Sequence, residues 1–87
     1  MFIILVYDVG VKRVAKMLKT CRKYLYWVQN SVFEGEITES SFIKLKYEID
    51  NIINYDKDSV IIYKFRTTKY SDIEIMGVKK GGQDNML

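Results

Sequence analysis

The chain contains no histidine and no proline, one cysteine and five glycines among 87 residues. Each scarcity closes off a class of function. Without histidine there is no His-based triad, no histidine metal cluster and no imidazole base for neutral pH. A single cysteine, Cys21, excludes an internal disulfide framework and a cysteine-rich zinc site. Lack of proline and sparse glycine exclude collagen-like and linker-like chains. Long apolar runs are missing as well: Phe2 to Val6 ends in Tyr7-Asp8, which is too short for a membrane span and lacks the basic start of a signal peptide. The expectation is a cytoplasmic protein that makes no use of a membrane. Catalysis in such a chain must run on carboxylates, hydroxyls, lysines or a bound metal.

What is present is a globular balance, 48% hydrophobic and 29% charged, enough for one core and one domain. The net charge of +3 is unevenly spread. Residues 1–33 carry six Lys or Arg and one acid, residues 34–62 three and seven, and residues 63–87 five and three. A basic first third beside an acidic middle suits a phosphate backbone. A solvated helix face accounts for the same charges equally well.

Hydrophobic periodicity orders the chain. Phe2 to Val9 is apolar on both alternating sets and predicts a strand buried on both faces. Val11 to about Tyr24 predicts a helix with an apolar stripe of Val11, Val14, Ala15, Leu18 and Cys21 or Arg22, and with Lys12, Lys16, Lys19 and Lys23 in a row on another face. Leu25 to Ile37 favours two short strands broken at Gln29-Asn30-Ser31, with Gly35 marking a bulge or bend. A second helix follows from Thr38 to about Asn54, capped by Thr38 or Ser40 and lined by Phe42, Leu45, Ile49, Ile52 and Ile53. Asp56-Lys57-Asp58-Ser59 predicts a polar turn, Val60 to Phe65 another strand apolar on both faces, and Ile73 to Met76 a short last strand. The fold class is α+β: a ferredoxin-like βαββαβ antiparallel sheet with both helices on one face, plus a short C-terminal strand. Residues 1–77 form the domain and 78–87 a loose tail. Two helices leave one apolar sheet face open, so a homodimer packed sheet against sheet is expected.

Asp8 ends an apolar strand and is the only acid before Glu34. A carboxylate there must be paired, capped or bound to a cation. Two roles fit: an acceptor of backbone N–H groups from the turn into the first helix, or a ligand of a divalent metal. A two-fold axis near Asp8 would bring a second Asp8 and complete a metal site. Ser31, Ser59 and Tyr7 are hydroxyls near strand ends, better suited to turn hydrogen bonds than to nucleophilic attack without histidine. Lys12, Arg13, Lys16 and Lys19 form a face for phosphate contacts. Tyr24, Tyr26 and Trp27 are candidates for stacking on bases, and equally for core or interface.

These residues also carry a resemblance. Tyr7-Asp8 closing the first strand, with Lys12-Arg13 and Lys16 on the next helix, resembles the opening of the Cas-two family, the small CRISPR-associated adaptation proteins. Val28-Gln29-Asn30-Ser31-Val32-Phe33-Glu34-Gly35 resembles that family's Val-Gln-x-Ser-Val-Phe-Glu-Gly motif throughout. Asp58-Ser59-Val60-Ile61-Ile62-Tyr63 resembles its Asp-Ser-Val-x-x-Tyr segment. The likeness extends to about Phe65. It implies a ferredoxin-like homodimer and a metal-dependent endonuclease acting on single-stranded RNA or double-stranded DNA. Asp8 is then the catalytic ligand of Mg²⁺ or another divalent cation, shared with a second Asp8 across the dimer. Tyr7, Ser31 and Phe33 would shape the site and Arg13 would hold a phosphate. The implied partner is the CRISPR integrase subunit, which inserts new spacers into the array. Within that complex the small dimer is chiefly a DNA scaffold, so a non-catalytic binding platform is the alternative reading. Many members carry glycine and arginine just before the Val-Gln pair; here the stretch is Leu25-Tyr26-Trp27, so the base or phosphate contact of that arginine is not carried over.

Overall fold

The computed structural model describes residues 1–66 and 70–79. Seven elements follow in order: β1 (Phe2–Asp8), α1 (Val11–Arg22), β2 (Tyr26–Gln29), β3 (Val32–Glu36), α2 (Glu39–Asp50), β4 (Ser59–Phe65) and β5 (Tyr70–Gly77). They form one sheet in the order β2-β3-β1-β4-β5, every neighbouring pair antiparallel. The first four strands have the ferredoxin-like arrangement expected from the sequence, and β5 extends it at one edge.

Alternation along the central strands decides which side is core. Ile3, Leu5 and Tyr7 of β1 point to one face, with Phe33 of β3 and Val60 and Ile62 of β4 beside them. Met17 and Cys21 of α1 and Phe42, Leu45 and Ile49 of α2 close over the same residues, so both helices cover one face and build one core. Each fully buried Ile, Leu or Phe there contributes about 1.5–3 kcal/mol relative to exposure. The opposite set, Phe2, Ile4 and Val6 with Val32, Ile61 and Ile75, is only half-buried. Among the described residues no helix lies over it. Strands apolar on both faces are thus present as expected, and one of those faces is uncovered.

Four local expectations are corrected. The buried face of α1 is Met17, Thr20 and Cys21, whereas Val11 is 89% exposed and Val14 and Ala15 also face solvent. The helix is rotated from the expected stripe because its first turn is fixed by an inward-facing Arg13, described below. The irregularity foreseen at Gly35 lies one strand away. Trp27 pairs with Phe33 but Gln29 pairs with Val32, so β2 carries one extra residue before the tight turn at Asn30, whose φ of 44° is left-handed. The last strand is twice the expected length. Its polar end is held by Lys64 of β4, which pairs with Asp72 and Glu74 at 3.3 and 3.2 Å, while Lys46 of α2 bonds Glu74 at 2.9 Å. Thr38 caps α2 as expected, by accepting the Ser41 N–H at 3.1 Å, but the helix ends at Asp50 with Asn51 as its C-cap, so Ile52 and Ile53 lie in the following turn and not on the helix. From residue 80 onward the expected tail lies outside the described residues.

Candidate active site

One end of the sheet gathers the end of β1, the β2–β3 turn, the start of α1 and the start of β4. Asp8 sits there, opposite Ser59 in the β1–β4 register. Its side chain is exposed and continues the Phe2-Ile4-Val6 set, which places it at the rim of the uncovered face. Tyr7 points the other way. It is buried, stacks on Phe33 at 6.1 Å between ring centroids, and its N–H donates to the Ser31 C=O at 3.1 Å. Burial raises the Tyr7 pKa, the neighbouring Cys21 thiol adds to this, and a hydrogen bond with the Ser31 side chain draws it partly back. Its phenol therefore stays protonated at neutral pH. Cys21 is itself buried, which pushes its thiol up to about 12 and makes it a packing residue. Tyr7, Ser31 and Phe33 do come together as a group, but on the helix-covered side, behind the strand end that carries the Asp8 carboxylate.

The residue that sequence reasoning missed is Asp58. Read as part of a polar turn, it is 1% exposed. Its Oδ1 accepts the Gly10 N–H at 2.9 Å and its Oδ2 the Asn54 N–H at 2.8 Å. Arg13 grips it with two donors, Nε to Oδ2 at 2.5 Å and Nη2 to Oδ1 at 3.0 Å. The guanidinium first, then the two backbone donors, hold the Asp58 carboxyl well below the usual carboxylate range, against the opposing effect of burial. Asp58 thus performs the turn-capping role that was one of the two foreseen for Asp8. The Asp58 C=O also accepts the Val78 N–H at 2.8 Å, so one residue ties together the loops around Asp8. Two glycines make room for it. A Cβ on Gly10 would collide with the Arg13 guanidinium, and a Cβ on Gly77, at φ 85°, would collide with the Asp58 carbonyl oxygen.

The basic residues divide accordingly. Lys12, Lys16 and Lys19 are exposed along α1. Arg13 stands apart from that row, about a quarter exposed and turned inward to Asp58. Lys23, at the end of the row, pairs with Glu48 of α2. As for a divalent cation, no group of three His, Cys, Asp or Glu comes together among the described residues. Mg²⁺ takes six oxygens and usually keeps several waters, so one exposed carboxylate fits it in part and two fit it better. The chain's own contribution to such a site is Asp8. Among the described residues no helix is long and apolar enough to cross a membrane.

Comparison with known proteins agrees with this fold. Residues 1–73 match the family model described as CRISPR associated protein Cas2. The chain is 55% identical over all 87 residues to the CRISPR-associated endoribonuclease Cas2 of Dictyoglomus turgidum, covering the whole of both chains. It is 51% identical over 81 residues to the protein of the same name from Thermotoga maritima, covering 93% of each. A crystal structure titled Cas2 superposes with a TM-score of 0.75 at 40% identity, covering 93% of this chain and 91% of the other. Streptococcus pyogenes Cas2 superposes at 0.69 with 34% identity, covering 75% and 86%. With a matching fold and this extent of sequence identity, the chain belongs to the CRISPR-associated Cas2 family.

Proposed function

We propose that this protein is a divalent-metal-dependent endonuclease of single-stranded RNA or double-stranded DNA. It works in the cytoplasm as a homodimer, beside the CRISPR integrase subunit during spacer acquisition. The observation that carries the reading is the exposed Asp8 carboxylate, at the end of an otherwise apolar row on the uncovered sheet face. The name endoribonuclease borne by relatives 44–55% identical over the full chain supports it. A second copy seated on the uncovered face hides apolar surface and adds its own carboxylate to the same rim. Asp8 and the partner subunit's Asp8 would hold the cation. When bound, such an ion supplies an acidified water and neutralises charge on the phosphodiester. The remaining work falls to the chain's other side chains. Asp58 and Arg13 fix Gly10 and with it the end of β1. Lys12, Lys16 and Lys19 draw the phosphate backbone to α1. Tyr7 stays protonated behind the strand and takes no proton from the reaction.

Asp8→Asn tests this. It keeps the size of the side chain and removes its charge. Mg²⁺-dependent hydrolysis should disappear, while melting temperature, dimer mass and nucleic-acid binding stay at wild-type values. Equal hydrolysis rates for the two proteins at matched dimer concentration would end the assignment. A second reading, a non-catalytic DNA-binding scaffold for the integrase, is favoured by the single carboxylate that each chain offers. A wild type that binds duplex DNA but has no measurable Mg²⁺-dependent rate would establish it.

A further inference from the structure

We infer that Asp58 is a positioning residue for hydrolysis: through Gly10 and Arg13 it sets where the Asp8 carboxylate stands at the rim of the uncovered face. The inference rests on the nuclease reading above and adds to it the group that holds that carboxylate in place. Asp8 is the last residue of β1, and the ladder around it is one-sided. The β1–β3 pairing stops at Val6, whereas the β1–β4 pairing runs on to Asp8 and Ser59. Asp8 therefore takes its position from β4 and from the chain on either side of it. On one side Tyr7 is fixed, since its ring is buried against Phe33 and its N–H donates to the Ser31 C=O at 3.1 Å. On the other side, two residues on, Gly10 is gripped at both its backbone groups. Its N–H donates to Asp58 at 2.9 Å and its C=O accepts the Arg13 N–H at 2.8 Å. Asp58 directly precedes Ser59, so one residue governs both the entry into β4 and the placement of Gly10.

The chemistry of this anchor suits placement. Its carboxylate is buried and receives four hydrogen bonds, from Gly10, from Asn54 and from two donors of Arg13. An ion pair in such a place adds little stability over well-packed apolar side chains of the same volume; what it adds is fixed distance and direction. The Asp58 C=O accepts the Val78 N–H at 2.8 Å, which ties in the end of β5 as well. The fit is close, because a Cβ on Gly10 would meet the Arg13 guanidinium. Arg13 is spent in this task. Its guanidinium faces Asp58 and is about a quarter exposed, so it works behind the strand end and not on a phosphate. A site that takes one carboxylate from each subunit feels a displacement twice, once at each Asp8. Misplacement by about 1 Å at a reacting centre costs about a hundred-fold in rate.

Asp58→Glu keeps the charge and pushes the carboxylate out by one methylene. Arg13→Lys keeps the charge and loses the two-pronged grip. Leu45→Ala, at a buried position in the middle of α2, is the control that weakens the fold away from the anchor. The full-length proteins are compared well below the lowest of their melting temperatures, with folding checked by circular dichroism. Two quantities are read: Mg²⁺-dependent hydrolysis of a short RNA and of a DNA duplex, and Mn²⁺ binding without nucleic acid, followed by electron paramagnetic resonance. In Asp58→Glu, kcat should fall about a hundred-fold at unchanged KM, with a smaller fall in Arg13→Lys. Mn²⁺ binding should weaken in the same order, and Leu45→Ala should match wild type in both. If Asp58→Glu does not fold, Arg13→Lys carries the test alone. Values in the anchor variants equal to those of Leu45→Ala would overturn the inference and leave Asp58 a purely structural group. A raised KM at unchanged kcat in Arg13→Lys would also overturn it, by making Arg13 a phosphate contact. The two readings fail separately. If Asp8→Asn loses hydrolysis and Mn²⁺ binding while the anchor variants keep both, only the positioning role is refuted. If Asp8→Asn keeps both, the Asp8 assignment itself is refuted, and this inference goes with it.

Discussion

Replacing Asp58 with Asn should destabilise the fold severely although the two side chains have nearly the same shape. Asp58 receives four hydrogen bonds on two oxygens and is almost wholly buried. Asparagine has one acceptor oxygen. With that oxygen in the Oδ1 position, the Gly10 N–H and Arg13 Nη2 keep their partner, while the Asn54 N–H and Arg13 Nε face an amide that is itself a donor. Losing one partner of a buried ion pair costs about 3–5 kcal/mol. Arg13 is a quarter exposed and can recover water, so the lower end, about 3 kcal/mol, is expected here. For a domain of this size that corresponds to a melting temperature lower by about 15 °C.

The effect also has a pH signature. The folded carboxyl titrates below its ordinary value, so its contribution is complete above the unfolded-state pKa near ~4 and is lost as pH falls from there through the folded value. Calorimetry on wild type and Asp58→Asn, at matched protein concentration, should show a constant gap from neutral pH down to about pH 5. Below that the gap should narrow, because the unfolded wild-type chain takes up a proton at Asp58 that the folded one resists. A gap of only a few degrees at neutral pH, or one that does not narrow in acid, would refute the argument that Asp58 is an ionised anchor.

Gly10→Ala should weaken the same anchor from the other side, because the new methyl displaces the Arg13 guanidinium; its melting temperature should fall, and should fall less in an Asp58→Asn background, where the grip is already loosened. Reversing Lys12 and Lys16 to Glu should reduce affinity for all nucleic-acid sequences alike and flatten the salt dependence of binding, measured by filter retention across a salt series. Ile61→Glu puts a charge among Val6 and Ile75 on the uncovered face. Light scattering should then read 10.3 kDa in place of twice that value, with the fold retained by circular dichroism.

Local pattern carried most of the architecture. β1 and β4 were legible because both alternating sets are apolar, and α2 because Phe42, Leu45 and Ile49 recur at helical spacing and stay buried. The β2–β3 break was legible in the polar Gln29-Asn30-Ser31. At the site the record is divided by range of interaction. Asp8 could be singled out since its neighbours in sequence make its isolation visible. Asp58 could not, because Asp56-Lys57-Asp58 looks uniformly solvated, and what turns one of its two acids inward is Arg13, 45 residues away. The same pair explains the misread helix. The apolar residues of α1 are spread over two faces, so Val11, Val14 and Leu18 fit a 3.6-residue period as well as Met17 and Cys21 do. The choice between the two faces was made by an arginine that a charge-based reading assigns to the surface. A signal was nonetheless present in the Asp-Ser-Val opening of β4. Ser59 and Val60 are buried from the first residue of the strand, so an aspartate immediately before them has little access to water and needs a cation. With no acid anywhere on α1 and a glycine at its start, the first turn of that helix was the place to look for one.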